Sequence, residues 1–598
     1  MPISFLPRTR ISMVSWIHPA IFFFIGALVL PFFRGKAKKI FLLLVPALSI
    51  IDVALMTEGV FGSYHFLNAD VIFGRVDKLS LVFAWVFTIM AFLGAIYALH
   101  VDEDGHHIAG SFYVGGSLGA IFAGDYLTLF IFWEMMAFSS VFLVWYRKEK
   151  KSIDAGYRYL LVHVFGGLLF FTGMMLYYYK TGSLLFEHIL PVDAGVAEYL
   201  ILAGFALNAA VIPLHAWLPD AYPEATVAGA VLMCAFTTKT AVYVLARGFS
   251  GFEILAIMGT AMTVYGVFYA VIENDMRRVL AYHIISQVGY MVAGVGIGTE
   301  MALNGACAHA FAHILYKALL FMGAGSVLYM VGTAKLSRLG GLYKYMPLTM
   351  IFYVVGAISI SGFPLFSGFV SKSMIVASAH SEGRILLMLL MNLAGIGTFL
   401  SVGLKVTYFA FFGKDSGLKP KEPPKNMLWA MGLTSALCFI IGVYPRALYV
   451  LLPFPVEYHP YNLHHLSEML QLLSFTGLVF FLLVKKLAPE DKMNLDMDIF
   501  YRAGAWVFMK IDEKVISVVD ARWGEVYRTV GLSLLFKNAR VANGFDKKVI
   551  DGIVDGSAMT VRSVGSLVRK LQTGRIQAYI GLALIMFFLI VWIFLKKV

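Results

Sequence analysis

Long runs of apolar residues recur along most of the chain, and short polar segments separate them. Each run is close to the ~20 residues that an α-helix needs to cross a bilayer. If each run is one helix, the pattern predicts an all-α polytopic membrane protein with about sixteen spans. The predicted spans are about 16–33, 40–56, 79–99, 107–123, 125–146, 157–179, 197–217, 225–247, 252–272, 279–298, 303–331, 346–379, 385–412, 426–450, 466–485 and 576–595.

Composition agrees with this prediction. Of the 598 residues, 60% are hydrophobic and 14% are charged, whereas a soluble domain has about 25% charged residues. The net charge of +12 would suggest nucleic acid for a soluble protein, but here the basic residues fall in loops and the tail, where they face lipid. Cys234, Cys307 and Cys438 are far apart and lie in apolar runs. They predict buried thiols, and we expect no metal site, no redox cofactor and no nucleic-acid partner in this chain.

Basic residues also predict an orientation. If the N-terminus lies outside, the loops at 147–151, 277–278, 335–344 and 414–425 fall inside, and these loops hold most of the basic loop residues. We therefore expect a multi-pass protein of the inner (plasma) membrane, with both termini outside.

Prolines interrupt two of the predicted spans. Pro213 and Pro219 lie in the first, and Pro364 lies in the second. A proline removes a helix hydrogen bond, which at membrane depth is tolerated only against protein or a cavity. Two broken helices in corresponding halves are typical of an internal repeat, here of about five helices, and they mark a transport path.

Ionisable residues lie deep inside several predicted spans. His309, His313 and Lys317 are four residues apart, so they share one face of a helix. A lysine at bilayer depth costs about 3 kcal/mol or more, and histidine is suited to pass a proton near neutral pH. This pattern predicts a proton pathway. The alternative is a pair of hydrogen-bonded packing histidines and a lysine whose amine reaches the membrane surface.

Four more residues extend the predicted pathway. Glu134 lies far from either end of its span, Lys239 follows two threonines, and Lys372 comes just after the second break. Lys405 is nearer a helix end, where an amine that simply reaches the surface is the competing interpretation.

The tail differs from the rest. Residues 487–575 hold no run long enough to span, but their apolar residues follow a helical spacing with basic residues between them. This pattern predicts an amphipathic helix lying along a membrane or protein surface on the cytoplasmic side, and a small cytoplasmic helical domain is the alternative. The predicted organisation is N-terminal helices at 1–106, a conducting core at 107–415, flanking helices at 416–486, the lateral segment at 487–575 and an anchor helix at 576–598.

Several motifs resemble one family. They are Phe132–Met136, Ile212–Ala221, Asp275–Tyr282, Ser286–Met291, His309–Phe321 and Gly368–Lys372. Over about residues 75–415 the chain resembles the antiporter-like membrane subunits of respiratory complex I and the large subunits of Mrp-type cation/proton antiporters. The resemblance implies about fourteen core helices in two inverted five-helix repeats. It also implies a hydrated polar axis formed by Glu134, Lys239, His309, His313, Lys317 and Lys372. The tail resembles the lateral helix and anchor of the largest complex I subunit of this kind.

One position departs from the family. Asn208 stands in the first broken helix where the family usually has a lysine, and a neutral amide cannot carry a proton as a cation. A buried carboxylate needs a cationic partner to stay ionised. We therefore predict that Lys239 pairs with Glu134 instead.

The leading functional hypothesis is a proton-translocating subunit of a complex I-like redox-driven pump, of the NADH-quinone oxidoreductase or membrane-bound hydrogenase type. Its redox cofactors are expected in partner membrane subunits, and the ions moved are protons, possibly Na⁺. The first alternative is a subunit of an Mrp-type Na⁺/H⁺ antiporter. The second is a partly degenerate scaffold, which Asn208 suggests.

Overall fold

The computed structural model describes residues 16–66, 69–491, 496–572 and 574–596. It consists of two compact units, one ending at Asp498 and the other beginning at Ile499. The helices of the first unit are α1 (Pro19–Val29), α2 (Gly35–Leu55), α3 (Lys78–Ala98), α4 (Asp104–Phe122), α5 (Tyr126–Trp145), α6 (Lys150–Thr181), α7 (Val196–Asn208), α8 (Trp217–Ala221), α9 (Val227–Met233), α10 (Thr237–Gly248), α11 (Glu253–Ile272), α12 (Met276–Ile297), α13 (Glu300–Val331), α14 (Pro347–Ile360), α15 (Ser367–Ser381), α16 (Ile385–Thr398), α17 (Lys425–Val443), α18 (Arg446–Tyr449) and α19 (Leu463–Leu483). Two π-helical segments, Phe399–Val406 and Tyr408–Phe412, follow α16.

Among the described residues, eleven helices are long and apolar enough to cross a membrane. Three shorter apolar helices are Pro19–Phe32, Val196–Asn208 and Pro347–Ile360. The prediction of a multi-pass helical membrane protein is confirmed at this level, while the count of sixteen spans stays a prediction. Two of the shorter helices are short because their spans are interrupted.

The expectation of an all-α chain is wrong between α2 and α3. There the strands β1 (Gly59–Phe66) and β2 (Ala69–Val76) form an antiparallel hairpin, with Val60 opposite Arg75. This stretch carries too many polar residues to span a membrane, and the strands satisfy each other's backbone groups instead.

Both proline-marked interruptions are present. The first separates α7 from α8 and contains Pro213, and the second separates α14 from α15 and contains Pro364. Each has one non-glycine residue in the left-handed region, Ala210 with φ 56° and Leu365 with φ 73°. Such a residue costs about 1–3 kcal/mol, so the surrounding contacts must hold it in place. Pro219 lies inside α8 instead, in a first turn where backbone N–H groups have no helical partner anyway.

A third interruption was not predicted. The run at 225–247 is two helices, α9 and α10, with Cys234–Phe236 between them. These three residues include neither proline nor glycine, so the sequence pattern carries no signal for the break.

Equivalent contacts recur in the two halves of the first unit. Both α6 and α13 are 32 residues long. Asp125 caps α5 and pairs with Leu185 after α6, while Asp275 caps α12 and pairs with Lys335 after α13. In each half, the helix after this pair is one of the two that end at a proline-marked interruption.

Helices α11 and α12 are in direct backbone contact. A Cβ atom at Gly259 would lie 2.3 Å from the backbone nitrogen of Ala293, and one at Gly296 would lie 2.0 Å from that of Ala256. Only glycine fits at such distances, so these two positions require it.

Loops rich in basic residues meet at one end of the first unit, called here the basic face. Arg147 donates to the backbone oxygen of Pro223 (2.7 Å), and Arg277 donates to that of Tyr222 (3.1 Å). Lys335 bonds Asp491 at 2.7 Å. Lys344 bonds Asp415 at 2.9 Å, so the contacts place on one face all four loops that the charge pattern assigned to one side.

The second unit is described by itself. A nearly continuous helix comprises α20 (Asp498–Ile511), α21 (Ser517–Val526), α22 (Ser533–Phe545) and α23 (Asp551–Leu571), and α24 (Ile576–Leu595) follows it. Short π-helical segments join the first four: Asp512–Ile516, Tyr527–Leu532 and Asp546–Ile550. The lateral segment is therefore helical, and its placement along a surface stays a prediction.

Candidate functional site

The predicted stripe lies in the middle of α13, where His309, His313 and Lys317 are all fully buried. Ser371 Oγ already donates to the backbone of Ser367, so His309 Nδ1, at 3.1 Å, donates to it. Tyr316 OH is then the donor to His309 Nε2 at 3.4 Å. Neither ring nitrogen of His313 nor the amine of Lys317 has a hydrogen-bond partner among the described residues.

Lys372 lies on α15 just beyond the second interruption. Its amine donates to the backbone oxygen of Ile360 (3.2 Å) and lies 4.9 Å from the centre of the Tyr290 ring, a cation–π contact. It also lines a cavity of about 380 Å³. Polar side chains that line the same cavity are Ser373, His380, Asn392, Asn462, His465 and Glu468.

Lys239 lies on α10 just after the third interruption. Its amine donates to the backbone oxygen of Cys234 (2.6 Å) and to Thr238 Oγ1 (3.1 Å). A lysine amine carries three donor hydrogens, so these two bonds leave it capacity for another acceptor. The break in the helix therefore supplies the carbonyl that holds this buried amine.

These groups form one row across the first unit. His313 lies within electrostatic range of Lys239, Lys317, His309 and Lys372. Lys317 lies within range of Lys239. No described carboxylate lies within ion-pair distance of any of the three lysines. We call Lys239, Lys317, His313, His309 and Lys372 the buried row.

Glu134 is not joined to this row. It is half-buried on α5, and it makes no ion pair or hydrogen bond among the described residues. Gly167 on α6 makes room for it, because a Cβ atom there would lie 1.9 Å from Glu134 Oε1. No direct contact joins Glu134 to Lys239 among the described residues, because Lys239 donates to the Cys234 carbonyl, so the predicted pairing stays a prediction.

Asn208, at the end of α7, is fully buried, and neither its amide nitrogen nor its amide oxygen has a described partner. No ion pair forms at this position. The interruption that follows it contains the ionisable residue His215.

Lys405 has a different role from the row. It lies in the π-helical segment after α16, and its amine donates to the backbone oxygens of Val271 (2.6 Å) and Glu273 (2.8 Å). These carbonyls belong to the C-terminal end of α11, which a cation stabilises. The contacts favour a structural role for Lys405.

The residue-by-residue prediction missed two polar groups on α12. His283 is fully buried, its Nε2 lies 2.6 Å from Ser401 Oγ, and it is within electrostatic range of Lys317 and Lys372. Gln287 is also fully buried and donates to Thr398 at 3.4 Å. They lie four residues apart on α12, the spacing that identified the α13 stripe, so this signal was available.

A second ionisable cluster lies at the first interruption. His215 is fully buried, and its Nε2 lies 3.3 Å from Asp496 Oδ1. Tyr282 donates to Asp496 Oδ2 at 2.6 Å, and Tyr265 also donates to this carboxylate. Burial by itself would raise the pKa of Asp496, but the hydrogen bonds from His215, Tyr265 and Tyr282 outweigh it and hold the pKa well below its usual range. The carboxylate is therefore ionised at neutral pH.

Nothing in the described residues suits a bound metal, since they include no group of three or more His, Cys, Asp or Glu side chains placed to hold one. What the arrangement can do chemically is to hold and pass protons among lysines, imidazoles and hydroxyl groups.

Comparison with known proteins finds one family to which the part of the chain that contains this site is similar. Residues 123–398 match the family described as NADH:quinone oxidoreductase/Mrp antiporter, TM. This range contains Glu134, Lys239, the α13 stripe and Lys372. It ends before Lys405.

Two curated relatives and one solved structure are informative. Over 323 residues the chain is 34% identical to one of the Na⁺/H⁺ antiporter subunits of Alkalihalophilus pseudofirmus, covering 51% of this chain and 65% of that protein. Over 577 residues it is 28% identical to the NAD(P)H-quinone oxidoreductase chain 5 of Picosynechococcus sp., covering 86% and 85%. A chain of the membrane-bound sulfane sulfur reductase, an archaeal respiratory membrane complex, superposes with a TM-score of 0.66 at 25% identity, covering 77% of this chain and 97% of that one.

The chain spans 40% to 65% of the length of the antiporter subunits from Alkalihalophilus pseudofirmus and Rhizobium meliloti that it matches. Residues 123–398, which contain the buried row, are therefore similar to the NADH:quinone oxidoreductase/Mrp antiporter transmembrane family.

Proposed function

We propose that this chain is the proton-translocating membrane subunit of a complex I-like, redox-driven pump. The observation that carries the proposal is the buried row, in which His313 lies within electrostatic range of the three lysines and of His309, and no described carboxylate lies within ion-pair distance of those lysines. Buried cations of this kind are costly, and inside membrane proteins they mark ion and proton paths.

The chemistry follows from charge repulsion along the row. A lysine that is protonated next to a second cation gives up its proton more easily, and a lysine whose neighbour has lost its charge takes one up. Displacement of charge at one end of the row would therefore move protons step by step between Lys239, Lys317, His313, His309 and Lys372. Partner subunits would supply the driving electron transfer and would hold the redox cofactors, and this chain would hold none.

The extent of similarity supports the redox assembly over an antiporter. The match to NAD(P)H-quinone oxidoreductase chain 5 covers 86% of this chain, whereas the 34%-identical match to an Na⁺/H⁺ antiporter protein covers 51%. The longer alignment covers more than the first unit alone contains. Subunits that co-purify with the chain distinguish the alternatives: flavin, nickel–iron or quinone-site subunits favour the pump, and small antiporter subunits favour an Mrp-type Na⁺/H⁺ antiporter.

The finer architecture belongs to the same proposal. Two inverted five-helix repeats are supported by the equal lengths of α6 and α13 and by the recurring bridges at Asp125 and Asp275. The basic face would lie in the cytoplasm of a cell with the chain in its plasma membrane, because basic loops are retained there.

Replacement of Lys372 tests the function. Lys372→Met should lower proton transport by inverted vesicles that contain the whole complex to below about a tenth of the wild-type rate. Lys372→Arg should fail equally, because arginine keeps its proton. The readout is acidification of the vesicle lumen, followed with a pH-sensitive dye.

Lys344→Met is the matched control, since Lys344 is half-exposed and bonds Asp415 at 2.9 Å on the surface. Its transport should equal that of the wild type. Normal transport by assembled Lys372→Met would overturn the proposed function.

Removal of the second unit tests the partner assignment. A chain that stops at Asp498 keeps every described contact of the first unit and loses the exposed helix that begins at Ile499. An exposed amphipathic helix of this length needs a partner surface to persist. We expect the truncated chain to reach the membrane but to give a smaller or dissociated complex on native gels. Unchanged migration would contradict docking of this helix on neighbouring subunits.

A further inference from the structure

The first interruption has a buried imidazole but no lysine, and its acid comes from a distant segment. Asp496 lies 281 residues after His215 in the chain, just before α20. On the other side of the undescribed residues 492–495, Asp491 bonds Lys335 on the basic face. Asp491 therefore contacts the basic face, and Asp496 contacts the first broken helix.

The surroundings of Asp496 are polar but hold little charge. It accepts hydrogen bonds from Tyr265 on α11 and from Tyr282 on α12, and the Tyr269 ring lies 4.7 Å from that of Tyr265. Two further charged groups are connected to this cluster: Arg278 interacts with Tyr282, and Glu273 lies 3.4 Å from Arg278. Among the described residues, His215 is the only basic group within ion-pair distance of Asp496.

The two ring nitrogens of His215 have different surroundings. Nε2 faces an ionised carboxylate and therefore carries a proton that it donates to Asp496. Nδ1 is buried and has no hydrogen-bond partner in the described part of the chain. A neutral ring held in this way can accept one more proton, at Nδ1, and the resulting imidazolium is paired at once with Asp496.

We infer that His215 is a proton-loading group of the first broken helix and that Asp496 is the residue that positions and charge-balances it. One proton binds at Nδ1 while the Nε2 proton stays bonded to Asp496, and release from Nδ1 restores the neutral ring. His215 can therefore gain and lose a positive charge in the half of the first unit where Asn208 is neutral. The inference rests on the proposed function, because it assigns a step of the same proton transport.

The test uses the whole complex in inverted vesicles and compares Asp496→Asn with Asp496→Glu. Asparagine keeps the size of the side chain and one acceptor oxygen but has no charge, so the imidazolium is no longer favoured. Transport at about pH 8 should fall by about tenfold or more, and the loss should be smaller at about pH 6, because a higher proton concentration favours the imidazolium. Asp496→Glu should keep transport and its pH profile close to those of the wild type.

Asp491→Asn is the matched control, because this acid lies in the same segment but forms only exposed ion pairs with Lys335 and Arg338. It should transport normally at both pH values. If Asp496→Asn lowers the amount of assembled complex, His215→Gln replaces it, since glutamine can still donate to Asp496 but cannot hold the proton. This variant should lose transport at both pH values.

A structural role gives a different result. Equal losses at both pH values in Asp496→Asn, or normal transport in either Asp496→Asn or His215→Gln, would overturn the inference. Lys372→Met measured in the same vesicles separates the two proposals. If it abolishes transport while Asp496→Asn does not, only this inference fails, and if it transports normally, the proposed function fails as well.

Discussion

The two broken helices obtain their ionisable groups from different places. Beyond the second interruption, Lys372 lies on α15 itself and faces a cavity, with the α13 stripe joined to it through Ser371. At the first interruption Asn208 is neutral, and the ionisable group is His215, which depends on Asp496 from the segment before the second unit. The second interruption thus has an ionisable group on its own helix. The charge of His215 at the first interruption depends instead on Asp496, which is distant in the sequence.

One ionisable group of the site therefore depends only on its own helix, and the other depends on a contact with a second segment. Lys372 is present at the second interruption whenever α15 is folded. The imidazolium of His215 is favoured only while Asp496 is seated against it. A change that displaces the segment before α20 would therefore act on the first half of the site and leave the second half unchanged.

The largest expected effect concerns Lys239, which joins the first half to the row. Lys239→Ala should lower proton transport to below about a tenth, because the row loses the cation next to Lys317. Glu134→Gln should cost less than about tenfold, since Glu134 makes no described ion pair.

The double variant decides how the two residues are related. Because they share no described contact, the effects of Lys239→Ala and Glu134→Gln should add in free energy when transport rates of both singles and the double are compared. A double variant no worse than Lys239→Ala would instead show that the two residues act as one unit. That outcome would mean that Glu134 acts together with the buried row.

A smaller effect is expected at Asn208. Asn208→Lys adds a permanent cation to the half that already has His215, so transport should fall by up to about fivefold, equivalent to about 1 kcal/mol. Asn208→Gln lengthens the side chain but keeps it neutral, so it is the control and should change the rate less. An increase in transport with Asn208→Lys would mean that the first interruption lacks a cation. It would contradict the role assigned to His215.

The smallest effect on transport is expected at Lys405. Its amine caps α11 through two backbone oxygens, so Lys405→Met should keep transport within about twofold but should lower the thermal unfolding midpoint by about 2 °C or more. Lys414→Met, at an exposed position nearby, should change neither quantity. Loss of transport with an unchanged midpoint would move Lys405 back into the proton path.

Local signals in the sequence predicted the parts of the site that depend on local structure. The four-residue spacing on α13 placed His309, His313 and Lys317 on one face, and Pro213 and Pro364 marked the two interruptions. The third interruption, at Cys234–Phe236, has no glycine or proline, and the carbonyl of Cys234 that it frees accepts a hydrogen bond from Lys239. A single contact of this kind leaves no periodic pattern in the sequence.

Contacts between distant segments explain the remaining differences. Pairing of Glu134 with Lys239 was predicted from charge alone, but the order of residues in a chain does not give the distance between two helices. Likewise, nothing near Asp496 in the sequence indicates a buried partner, because His215 lies 281 residues earlier. The hairpin between α2 and α3 was not predicted, because a pattern of long apolar runs does not distinguish short polar strands from loops.

The direct contact between α11 and α12 has a mechanical consequence. At Gly259 and Gly296 the two backbones touch without an intervening layer of side chains, so one helix cannot slide along the other without a steric clash. Tyr265 and Tyr282, one from each helix, therefore hold Asp496 as a rigid clamp with a fixed opening. Because the two helices fix the spacing of the tyrosine hydroxyl groups, a displacement of Asp496 would break both hydrogen bonds together.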